Sequence, residues 1–225
     1  AYTVRVPASR TDIIEAVKKL QSDLEKLIKE ENAGLPRIYF ERSLYLPILV
    51  KKEDVLSAAP PPLEPSEAQI IRDLKNYWEQ EKEKTLKGKE IFLLRNLSRG
   101  KGVGFFEERG FYPDFILWMV DERHQRIIFV EPHGMIHAGP YENDEKARLH
   151  ERLAELSMEI AKRSNVQNVH LDSFIISATK YEDLHRLYDD GTWSIEKFAE
   201  KHILFPNRNE YDYIGRILAD PMNDK

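Results

Sequence analysis

Asp114 stands in Tyr112-Pro113-Asp114-Phe115-Ile116-Leu117, and Glu131 follows Ile127-Ile128-Phe129-Val130 and precedes Pro132-His133-Gly134. A carboxylate carried on so apolar a segment is costly to bury unless it is paired, hydrogen-bonded or bound to a cation. On adjacent antiparallel strands the two side chains can project from one face and share a cation, with the Pro132 carbonyl as a third oxygen. His133 lies two residues past Glu131 and so returns to the same face. There it would orient an attacking water or stabilise a phosphate.

Other groupings invite chemistry less well. His133 and His137 are four apart, a zinc spacing on a helix, but Pro132 and Gly134 argue against a helix at that point. Gly100 to Gly104 is rich in glycine, yet no G-x-x-x-x-G-K-[ST] string occurs, so ATP hydrolysis is not expected. Lys82, Lys84, Lys87 and Lys89 read as a solvated face.

The elements that would position the carboxylates can be traced along the chain. Ile13, Ile14, Val17, Leu20, Leu24, Leu27 and Ile28 form one helical stripe over 12–31, with Asp12 and Glu15 as a capping box. Residues 37–40 and 43–50 suit short strands, and the prolines between 58 and 65 suggest a linker. Ser66 and Gln69 predict the start of a second helix that stops by Gly88. Strands are expected at 90–97, 111–120 and 126–130, the last two as a hairpin turning at 121–125. A helix over 143–163 and a strand over 169–178 follow, and then short surface helices at 181–188 and 194–202. A late apolar patch spans 213–218.

With 225 residues the chain can bury a sizeable core, and with no cysteine it has neither disulfides nor thiolate metal ligands. Any metal must rest on oxygen or imidazole donors, which favours magnesium or manganese. A net charge of −5 argues against a general nucleic-acid coat protein but not against a metal-dependent nuclease. No apolar run reaches the roughly 18 residues of a membrane span, so a cytoplasmic protein without a membrane partner is expected. The opening Ala-Tyr-Thr reads as the start of an excised piece of a larger polypeptide.

The spacing of Pro113-Asp114 and Glu131-x-His133 resembles the PD-(D/E)XK nuclease superfamily. The strings Leu44 to Leu49, Gly100 to Glu107 and Gly110 to Trp118 look like the C-terminal region of type III restriction-enzyme Res subunits and related DEAD/DEAH-type helicases. The resemblance runs from about Phe40 to Thr179. It implies an α/β fold with a restriction-endonuclease-like α-β-β-β-α-β core, a mixed sheet flanked by helices, over residues 58–225. Residues 1–57 would be an N-terminal helical extension or connector. It further implies divalent-metal-dependent hydrolysis of DNA, with a helicase motor upstream and a methyltransferase subunit as a candidate partner. Asp114, Glu131, the Pro132 carbonyl and Glu67 are then the metal ligands. Glu67 stands where the superfamily often keeps another acid, although an acid in the first turn of a helix is also favoured by the dipole alone. The departure is His133, where the family carries a lysine. Lys146 would supply the missing charge from the next helix, with Lys101 a lesser substitute. The alternative reading is a module that has lost its chemistry and binds DNA or a partner beside the motor.

Overall fold

A computed structural model describes residues 3–22, 37–44, 48–51, 57–59, 61–97, 104, 111–136, 140–164, 168–186, 188, 191–206 and 213–219. Two compact units are present, Ala1–Asn76 and Tyr77–Lys225. Their boundary falls inside a helix rather than at 57/58.

The first unit is mixed, not a helical extension. Strand β1 (Thr3–Arg5) pairs antiparallel with β4 (Ser57–Ala59), and β2 (Arg37–Ile38) pairs antiparallel with β3 (Ile48–Leu49). Helix α1 (Thr11–Ser22) lies between them in sequence, and its Ile13 is buried in a cluster with Leu49, packed by Val6, Ala16, Val17 and Ala58. The first helical bond runs from Ile14 N–H to Arg10 O, so Asp12 is inside the first turn and not a cap. Its carboxylate pairs with the Arg10 guanidinium at 2.9 and 3.0 Å. The expected linker also proves structured. Ala58 and Ala59 are in β4, and the fully buried Leu63 exchanges backbone hydrogen bonds with Leu49 and Lys51. Proline fixes an extended backbone, which such edge pairing can use.

Helix α2 (Pro65–Glu81) begins one residue earlier than Ser66 suggests. Pro65 occupies the first position, where its missing N–H is no loss. Glu64 is the cap, since Ala68 N–H reaches its carbonyl, and Glu67 rather than Gln69 returns to the cap's N–H at 2.7 Å. After Glu81 the chain winds through turns to Gly88, whose φ of +78° suits glycine.

The second unit holds a five-stranded mixed sheet in the order β5-β6-β7-β8-β9: Glu90–Arg95, Phe115–Val120, Gln125–His133, Val169–Ser177 and Ile203–Leu204. The first three strands are antiparallel neighbours, and β7, β8 and β9 run parallel. Strand β5 lies at the sheet edge and alternates, with Ile91 and Leu93 buried and Glu90 and Phe92 exposed, in place of a continuous buried run. Helix α3 (Leu149–Ser164) makes the crossover from β7 to β8 and places Leu149 and Leu153 on Ile116, Phe129 and Leu171. It starts later than the expected 143. A 3₁₀ turn (Tyr141–Asn143) and a further turn over 145–148 precede it. Helices α4 (Tyr181–His185) and α5 (Ile195–Glu200) are anchored more deeply than surface helices. Leu184 and Phe198 are fully buried among Tyr188, Trp193, Ile175 and Ile203. Helix α6 (Tyr213–Leu218) buries Tyr213, Ile214, Ile217 and Leu218. Among the described residues no helix is long and apolar enough to cross a membrane.

Candidate active site

The hairpin of β6 and β7 sets the site. Phe115 pairs with Val130, so the next pair outward is Asp114 opposite Glu131. Ile116 and Phe129 pack under α3, and by alternation Asp114, Glu131 and His133 take that same face of the sheet. Asp114 lies in a bend immediately before β6, not within the strand. Asn96, buried just after β5, holds this bend: its amide donates to Pro113 O at 2.9 Å, and its backbone N–H donates to Asp114 O at 2.7 Å.

Glu131 is buried, 7% exposed. One carboxylate oxygen, Oε2, accepts the Asp114 backbone N–H at 3.2 Å, and the other, Oε1, accepts the Lys146 ammonium at 2.9 Å. Lys146 also lies over the Phe111 ring, 5.0 Å from its centroid. The lysine comes from the turn before α3. Within that turn Asp144 Oδ1 accepts the N–H groups of both Lys146 and Ala147 at 3.1 Å.

Asp114 is pushed up from 3.8 to about 6, chiefly by burial and then by the charge of Glu131, while Arg95 and Lys146 pull the other way. The carboxylates therefore share a space in which their negative charges interact. His133 is shifted down from 6.5 by burial and by Lys146, with Asp144 opposing. Among the described residues Lys146 places an ammonium directly on Glu131. Successive strand carbonyls point to opposite sides, and that of His133 accepts from Ala178 N–H on the β8 side. The Pro132 carbonyl therefore faces the β6 side.

Glu67 belongs to the first unit, where its carboxylate completes the start of α2. Lys101 and His137 lie outside the described residues. Of the glycine-rich loop only Gly104 is described. A Cβ there would come within 2.5 Å of the Tyr112 ring, so this glycine permits a close packing contact.

Among the described residues no three His, Asp or Glu side chains form a metal cage. The donor set fits magnesium better than zinc, because magnesium commonly rests on one or two carboxylates and keeps several waters. Sequence reading passed over Asn96, Phe111 and Asp144. Only Asp144 had a local signal, an Asx residue just ahead of a helical stripe. Comparison with protein-family models, with curated proteins and with solved structures finds no match to this chain.

Proposed function

We propose that Asp114 and Glu131 bind a magnesium or manganese ion and that the second unit hydrolyses DNA phosphodiester bonds. The observation that carries this reading is the pairing of two carboxylates across β6 and β7, one buried and one with its charge disfavoured, beside the Lys146 ammonium. A bound divalent ion would polarise the phosphate and lower the pKa of an attacking water. Asp114 and Glu131 would hold it, with the Pro132 carbonyl as a further oxygen. Lys146 would offer its ammonium to phosphate oxygens as negative charge develops. His133 would orient the nucleophilic water or accept a proton from it.

The order α2-β5-β6-β7-α3-β8 supports a restriction-endonuclease-like core. In this reading the chain is the nuclease module of a cytoplasmic, helicase-type restriction polypeptide, with a motor domain upstream and a methyltransferase subunit as a candidate partner.

The test is incubation of the chain with supercoiled and linear DNA in magnesium or manganese. Cleavage by the wild type, and its loss in Asp114→Asn and Glu131→Gln, is expected; cleavage that survives Asp114→Asn unchanged refutes the assignment. DNA binding without cleavage in any divalent metal, and no recovery in His133→Lys, would instead identify a binding module that has lost its chemistry.

A further inference from the structure

We infer that Asp144 is a positioning residue, which through its cap on the turn 144–147 delivers the Lys146 ammonium to Glu131. The inference rests on the proposed hydrolytic site for its functional meaning, but its geometry stands by itself.

Lysine has a long, freely rotating side chain, and holding its ammonium in one place costs rotamer entropy unless the stem starts from a fixed backbone. Lys146 does not have a helix to fix it, because α3 begins only at Leu149. The Asp144 side chain caps the backbone there. Asp144 Oδ1 receives Lys146 N–H and Ala147 N–H, each at 3.1 Å, and Arg148 N–H closes on Asp144 O at 3.0 Å. Ala147 is buried in the cluster that holds Met135, Tyr141 and Trp193, which pins the other side of the turn. From this base the lysine stem reaches Phe111 at 5.0 Å and Glu131 at 2.9 Å.

What Asp144 provides is an acceptor oxygen at a turn, which asparagine and serine can also provide and alanine cannot. The test is the rate at which an amine-acylating reagent labels Lys146 in the intact chain, read by peptide mass spectrometry, with Lys197 as the reference lysine. Lys197 lies in α5 and pairs with Glu200 at 3.2 Å. In Asp144→Ala the labelling of Lys146 is expected to rise about fivefold, equivalent to ~1 kcal/mol of lost positioning. Asp144→Asn and Asp144→Ser should stay near the wild-type rate, and Lys197 should not change. An unchanged rate in Asp144→Ala overturns the inference, as does an equal rise in Asp144→Asn or a parallel rise at Lys197. Labelling requires no cleavage. A wild type that cleaves no DNA yet shows this pattern refutes the hydrolase and leaves the positioning role standing. Cleavage without the pattern refutes the positioning role alone.

Discussion

Asp114 occupies a place that disfavours its own charge. Its folded-state pKa of about 6 lies above the ordinary value of 3.8, so between those values the folded chain binds more protons than the unfolded chain. The stability this contributes is fully present below about pH 4 and is lost as pH rises through 6. Asp114→Asn should therefore raise the melting temperature at pH 8 and leave it nearly unchanged at pH 4. Calorimetry at both values checks this; a lower melting temperature at pH 8 would show that the carboxylate is stabilised where it stands. Lys146→Met should slow any metal-dependent cleavage about 100-fold, the usual effect of removing one group that stabilises transition-state charge. Steady-state kinetics would register it in kcat. Asp114, Glu131 and His133 were legible as a group because each interrupts or ends an apolar run. Asn96 was not legible, since its task is to hold Pro113 and Asp114 across a separation of 17 residues. Phe111 likewise gains meaning only once the lysine is seen above its ring.

Among the elements, α3 and β8 are joined by Ser157 as well as by apolar packing. Its buried hydroxyl donates to Leu153 O at 2.8 Å and accepts Leu171 N–H at 2.9 Å. Strand β9 pairs with β8 only at Ile175 and Ile176, so the serine serves a backbone group that lies beyond that pairing. Ser157→Ala should cost about 1–3 kcal/mol in urea unfolding, the cost of a buried donor left unsatisfied. The same helix carries His150, which stacks on His202 with ring centroids 4.2 Å apart. His202 stacks in turn on Phe174 and lies 2.9 Å from Asp172, which Arg126 also holds. Burial, and then His202, lowers His150 from 6.5 to about 4, against the opposing effects of the Ala147 carbonyl, Glu151 and Asp172. Its contribution to stability is present above pH 6.5 and is lost as pH falls towards 4. His150→Phe should therefore lose less stability than the wild type between pH 7 and pH 5, by urea unfolding at each pH. A loss equal to the wild type's would contradict this. The long strands and α2 were legible from runs and periodicity. Strands β2 and β3 fall within the short strands expected at 37–40 and 43–50, whereas β1 and β4 were not legible, because pairings such as Thr3 with Ala59 have no local periodicity. The late start of α3 follows from Asp144, whose side chain competes for the N–H groups of the first turn.

For the whole molecule, a net charge of −5 leaves any association with DNA to local cations and to bound metal. Composition showed that thiolate ligands were excluded, but it did not show that residues before 58 build paired strands. The claim on which the account depends is that Asp114 and Glu131 together hold a divalent cation. Titration of the full chain with manganese, followed by calorimetry, tests it most directly. The account predicts one ion bound per wild-type chain and none in the double variant Asp114→Asn, Glu131→Gln, with both proteins folded by circular dichroism. A wild type that binds no manganese, or a double variant that binds it as well as the wild type, would contradict the claim.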